Sequence, residues 1–133
     1  MNTLETIFTR KSVRQFKNQK VDEKDIKTIL KAGMSGPTCV NSKDWSFIVV
    51  DDPEVLHKMY QANGVPAKPL LECAFAILIC GDYSKAFKFS KDYFAVDGSI
   101  AGKNMILAAW SLDRKSTRLN SSHPTTSRMP SSA

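Results

Sequence analysis

The run Cys73 to Gly81, CAFAILICG, constrains the fold more than any other stretch of the chain. It is apolar at successive positions, so a strand built from it turns hydrophobic side chains to both faces of a sheet. Such a strand is stable only when both faces are covered, which helices do in layered α/β domains. The apolar part, Ala74 to Cys80, is far too short to cross a bilayer as a helix. A central strand between helical layers is therefore the expectation around which the remaining pattern is read.

That pattern alternates between helical and strand periodicity. Thr3 is placed to cap a short helix with an apolar face of Leu4, Ile7 and Phe8. Asp22 is expected to cap a second helix whose stripe is Ile26, Ile29, Leu30 and Gly33-Met34, ended by Gly36-Pro37. Ser46 to Val50 (SFIVV) reads as a strand, being rich in β-branched residues. Asp52 and Pro53 open a third helix with Val55, Leu56, Met59 and Tyr60 inward, closed by Asn63-Gly64. After the Cys73–Gly81 strand, a polar and aromatic loop from Asp82 to Lys91 leads into a long helix from about Tyr93 to Leu112. Ile100, Asn104, Leu107 and Ala108 share one side of that helix. Gly98 and Gly102, four apart, each weaken it by about 1 kcal/mol relative to Ala, which close helix–helix approach would offset. The fold class expected is α/β, in one domain.

Two short pieces carry candidate chemistry. Thr9-Arg10-Lys11-Ser12-Val13-Arg14 concentrates three permanent positive charges around a hydroxyl. In an extended backbone Arg10, Ser12 and Arg14 point the same way, and two guanidinium forks beside a hydroxyl form a strong cradle for phosphate. A solvated basic loop has the same composition. The second piece, Gly36-Pro37-Thr38-Cys39-Val40-Asn41 with Trp45 following, is a turn of small polar groups between a helix and a strand. Together the two suggest a phosphorylated cofactor lying against a backbone turn.

From Asp113 to Ala133 the chain changes character. This segment has six serines and three threonines, with Leu119, Met129 and Ala133 as its apolar residues. It cannot bury enough surface to offset its ordering entropy. Asp113 to His123 and Ser127 to Ala133 resemble, in order, a translated short-read sequencing adapter. Residues 113–133 are therefore expected to be a non-native disordered tail, and residues 1–112 the native portion, interrupted before its last strands. The tail carries four basic residues against Asp113, half of the formal charge of +6, so net charge gives no case for nucleic-acid binding. The N-terminus has no signal-peptide pattern. Cys39, Cys73 and Cys80 have neither metal-ligand spacing nor a disulfide pattern, which points to a reducing, cytoplasmic compartment and to no metal site.

The ordered set of motifs resembles the FMN-dependent nitroreductases. That family has an Arg-Arg/Lys-Ser-x-Arg segment, a Pro-Ser-x-x-Asn-x-Gln-Pro-Trp turn, an apolar strand, and a helix reading Ala-x-Gln-Asn-Met/Leu-x-Leu-Ala-Ala. Here these stand as Arg10-Lys11-Ser12-Val13-Arg14, Pro37 to Trp45, and Ala101-Gly102-Lys103-Asn104-Met105-Ile106-Leu107-Ala108-Ala109. Lys43-Asp44 replaces the family's Gln-Pro, and Thr38-Cys39 its usual small pair.

The resemblance implies an α+β three-layer sandwich, here without its C-terminal part, and a homodimer with FMN at the subunit interface. Arg10, Lys11, Ser12 and Arg14 would hold the phosphate and ribityl chain. Pro37, Thr38, Cys39 and Asn41 would approach the flavin from the partner subunit. NAD(P)H would reduce the flavin, and an electron-poor acceptor such as a nitroaromatic or quinone would reoxidise it. No catalytic side chain is demanded, and neither nucleic acid nor membrane is an expected partner. A polypeptide ending in this tail is expected not to turn over. The alternative from another class is a non-catalytic domain that binds a phosphorylated small ligand through Arg10 to Arg14. Trp45 reads as a core anchor, His57 as exposed, Cys73 and Cys80 as packed small hydrophobes, and Asp92 and Asp97 as no carboxylate pair.

Overall fold

The two apolar runs form the two strands of the described sheet, β1 (Trp45–Val50) and β2 (Ala76–Gly81), which pair with each other. The structure is a computed structural model and describes residues 2–17, 19–86 and 91–115. Four helices accompany the strands: α1 (Thr3–Thr9), α2 (Glu23–Met34), α3 (Pro53–Asn63) and α4 (Phe94–Lys115). This is the mixed helix-and-sheet class expected. Among the described residues no helix is long and apolar enough to cross a membrane.

Strand β2 is shorter than the apolar run that encodes it, since Cys73, Ala74 and Phe75 precede its first residue. It is also less covered than a central strand would be, with Leu78 47% exposed and Ile48 of β1 50% exposed. Each strand has one described neighbour, so the described sheet leaves both strands at its edges.

The chain divides into two compact units. One comprises Met1–Val21, Val50–Ala76 and the chain from Trp110; the other comprises Asp22–Val49 and Ile77–Ala109. In the first unit, α1 is capped by Asn2 and not by Thr3: the Asn2 side-chain oxygen accepts the Glu5 N–H at 2.9 Å. Leu4, Ile7 and Phe8 lie outward, Phe8 at 78% exposure, and Thr6 is the buried residue. Asp52 caps α3 by accepting the Glu54 N–H at 2.9 Å, with Pro53 in the first turn, as the sequence predicts. Gly64 ends α3 at φ +80°, a backbone region open to glycine. A 3₁₀ stretch over Val65–Leu71, which periodicity does not foresee, packs against α3.

In the second unit, Asp22 occupies the N-cap of α2 without a side-chain capping bond. Helices α2 and α4 meet through Asn104, whose Nδ2 donates to the Ala32 carbonyl at 3.2 Å, and through Met105, which lies over Gly33. The deepest stripe of α4 is Asp97, Ala101 and Met105, one step round the helix from the expected Ile100, Asn104, Leu107 and Ala108. The paired glycines serve a different approach from the one anticipated. A methyl group on Gly102 would stand 3.1 Å from Ile79 Cδ1, and one on Gly98 would stand 3.4 Å from Ile79 Cγ2. They admit a strand, β2, onto α4. Helix α4 itself continues through Leu112 to Lys115, three residues into the expected tail; residues 116–133 lie outside the described residues.

Candidate functional site

The cationic stretch belongs to the first unit and begins where α1 is forced to stop. Arg10 is the C-cap, with φ −56° and ψ 134°, and its N–H still donates to the Thr6 carbonyl at 3.1 Å. Immediately before it, Thr9 is held twice. Its hydroxyl donates to the Glu5 carbonyl at 2.7 Å and accepts the Trp110 indole N–H at 3.0 Å. Trp110 is buried, so the anchor is a rigid one. From Arg10 to Gln15 the backbone is non-helical; Arg10, Lys11 and Ser12 are half-buried and Arg14 is exposed. Trp110 is the positioning residue that sequence reading missed, since nothing local links it to Thr9.

The turn belongs to the second unit. Thr38 is extended (φ −128°, ψ 157°), and the chain then folds back on it. The Asn41 N–H donates to the Thr38 carbonyl at 3.0 Å, and the Ser42 N–H donates to the Cys39 carbonyl at 3.1 Å. The Thr38 hydroxyl accepts the Lys43 N–H at 3.0 Å, so this hydroxyl closes the turn. Val40, Asn41 and Lys43 are all left-handed, with φ of 47°, 55° and 49°. Asn tolerates that region; a β-branched valine occupies it at a real cost. Pro37 and Asn41 are exposed, whereas Thr38 and Cys39 are half-buried. Pro37, Thr38, Cys39 and Asn41 thus share one turn, and Arg10, Lys11, Ser12 and Arg14 fall in the other unit.

Under the turn lies a pair of acids. Asp44 and Asp97 are 0% and 2% exposed. The Cys39 backbone N–H donates to Asp97 Oδ1 at 2.9 Å, which fastens the turn to the first part of α4. Asp97 Oδ2 and both side-chain oxygens of Asp44 have no donor among the described residues. Desolvation raises the Asp44 pKa above its ordinary value, and the facing Asp97 carboxyl raises it further. The sequence reading had no means of joining these two residues, because two strands and a helix separate them. The one local signal was an acid placed directly before Trp45.

The remaining candidates are simpler. Trp45 is buried and stacks on Phe47 with ring centroids 4.9 Å apart, as a core anchor does. His57 is exposed on α3. Cys39, Cys73 and Cys80 are free thiols, each half-buried, and burial pushes the Cys73 thiol up from its ordinary pKa. Among the described residues, no three His, Cys, Asp or Glu side chains are gathered so that they could hold a metal ion. Past β2, the Asp82 carboxylate accepts from both the backbone and hydroxyl of Ser84, which together hold its pKa below the usual carboxylate range.

Comparison with known proteins bears on the family and the fold. The model of the nitroreductase family matches residues 7–88. A candidate NADH dehydrogenase/NAD(P)H nitroreductase of Archaeoglobus fulgidus is 39% identical over 106 residues, covering 80% of this chain and 60% of that protein. Among solved structures, an FMN-dependent nitroreductase of Clostridium difficile superposes with a TM-score of 0.73 at 31% identity, over 83% of this chain and 61% of that one. The NADPH:FMN oxidoreductase of Vibrio harveyi, solved with NAD+, gives a TM-score of 0.75 at 26% identity over 84% of this chain and 53% of that one. The chain therefore spans between about half and three-fifths of the length of these relatives.

Proposed function

Because this chain belongs to the nitroreductase family, we propose that it functions as an FMN-dependent oxidoreductase, drawing on NAD(P)H to reduce an electron-poor acceptor such as a nitroaromatic or quinone. The observation that carries this reading is the donor set at Arg10, Lys11, Ser12 and Arg14. It begins directly after Thr9, whose hydroxyl is bonded to Trp110 and to the Glu5 carbonyl. Two guanidinium groups, an ammonium and a hydroxyl fit a phosphate monoester dianion, which takes charge-assisted and bidentate bonds. FMN bound there would supply the redox chemistry, accepting a hydride from a nicotinamide and passing electrons to the acceptor.

The side chains of the protein then have binding and orienting roles. The cations neutralise the phosphate, and the Ser12 hydroxyl completes its hydrogen bonding. The closed turn at Pro37, Thr38, Cys39 and Asn41 presents a fixed backbone surface to the flavin, contributed across a homodimer. The outward apolar residues Leu4, Ile7 and Phe8 of α1 support such self-association, since exposed apolar clusters mark interaction surfaces. Three free thiols support a reducing compartment such as the cytoplasm.

The test is fluorescence titration of the purified protein with FMN. Quenching of flavin emission is expected, with Arg10→Ala and Arg14→Ala each weakening binding by about ten- to a hundredfold, as loss of a charged hydrogen bond does. In a version extended to the full length of its relatives, NADH or NADPH should then be oxidised only when a quinone or nitroaromatic is added. Equal affinity in the wild type and both variants would remove the site. Tight flavin binding without turnover would leave a non-catalytic phosphate-ligand domain.

A further inference from the structure

We propose that Asp44 and Asp97 hold a single proton between them, and that this acid–carboxylate pair positions the Thr38–Lys43 turn. Asp97 has one oxygen committed to the Cys39 N–H. Its other oxygen and both oxygens of Asp44 are buried with no donor among the described residues. Two charged carboxylates facing each other out of water repel strongly, and four acceptor atoms cannot satisfy one another. One proton on Asp44 removes the repulsion and gives Asp97 Oδ2 the donor it lacks, leaving one Asp44 oxygen toward which the Ser42 hydroxyl can turn. The raised pKa of Asp44, from burial first and from Asp97 second, is in keeping with this.

Other groups near Asp44 do not replace that proton. From the turn, Ser42 offers a hydroxyl that favours the charged form only weakly, Lys43 is exposed, and the Cys39 thiol is half-buried. From the end of β2, the Asp82 N–H donates to the Asp44 carbonyl at 2.7 Å, while the Asp82 carboxylate is engaged by Ser84 and Lys85. From α4, the acid acting on Asp44 is Asp97. Asp44 is thus pinned at its backbone by β2 and joined at its side chain to α4. Loss of the proton drives Asp97 away from Asp44 and strains the Asp97–Cys39 bond that holds the turn. Asp44 acts through Asp97 and Cys39, so it is a positioning residue; its effect on flavin binding rests on the function proposed above.

The pair can be read directly by carbon-13 NMR of the aspartate carboxyls in the purified protein as pH is raised. One carboxyl should titrate above the ordinary value of about 3.9. The Cys39 amide resonance should move with the same midpoint. In Asp44→Asn, whose amide donates permanently, the Cys39 amide should lose that pH dependence. FMN affinity should fall several-fold through the wild-type midpoint and stay flat in the variant. Both carboxyls titrating at or below the ordinary value, as when a cation lies between them, overturns the proposal. So does a Cys39 amide that ignores the titration. The wild-type titration decides the matter even where the variant does not fold. If FMN fails to bind at any pH, the proposed function falls while the carboxyl titration still judges the pair.

Discussion

Val40 is a β-branched residue at φ 47°, exposed to 65%, in a turn whose neighbours Asn41 and Lys43 share the left-handed region. Left-handed backbone costs an L-residue about 1–2 kcal/mol, whereas glycine adopts it freely and gives up about 0.5–1 kcal/mol in chain entropy. With little side-chain burial to lose, Val40→Gly should stabilise the protein by about 1 kcal/mol, seen as a rise of a few degrees in Tm. An unchanged or lower Tm would show that Val40 contributes contacts outweighing the backbone cost. At this scale the sequence was legible where chemistry is local. The charges of Arg10 to Arg14 and the Asp52-Pro53 start of α3 declare themselves within a few residues. The bonds Trp110–Thr9 and Cys39–Asp97 do not, because each joins residues remote in sequence.

Elements are legible through their punctuation more than through their faces. Caps, prolines and glycines set the bounds of α2 and α3 closely, and β1 lies within one residue of its expected start, whereas β2 begins three residues late. The inward faces were less secure: α1 turns Leu4, Ile7 and Phe8 outward, and α4 buries Asp97, Ala101 and Met105. Orientation is decided by partners, and a single chain's periodicity does not name them. The contact between α2 and α4 gives a test at this level. A Cβ on Gly33 would collide with the Met105 side chain, which is itself buried. Gly33→Ala gains about 1 kcal/mol in helix propensity but overpacks the contact at a cost of about 1–3 kcal/mol. The net effect should be destabilising in urea unfolding. Combining it with Met105→Ala should destabilise by less than the sum of the single changes, because the smaller residue vacates the space that the new methyl needs. Strict additivity would separate the two sites.

For the whole molecule, the fold class could be read from one apolar run and the alternation around it. The burial of two facing acids could not, because it arises only once α4 and the turn are assembled. That burial has a consequence for stability against pH. Asp44 has a raised pKa in the folded state, so between about 3.9 and the folded pKa the native protein binds more protons than the unfolded chain. Its contribution is fully present below about 3.9 and is lost as pH rises through the folded value, with a slope of at most about 1.4 kcal/mol per pH unit for one proton. Asp82 acts with the opposite sign. Its pKa is lowered, so its contribution is present above about 3.9 and is lost as pH falls through the folded value; screening by solvent keeps that effect small. Urea unfolding from pH 4 upwards should therefore show stability declining before it levels off. Asp44→Asn should be flat over the same range and more stable than the wild type at neutral pH, because its amide keeps the donor and carries no charge to bury. A wild-type stability that instead rises steadily from pH 4 to 7 would mean that both acids are ionised in the folded protein, with some other group holding them.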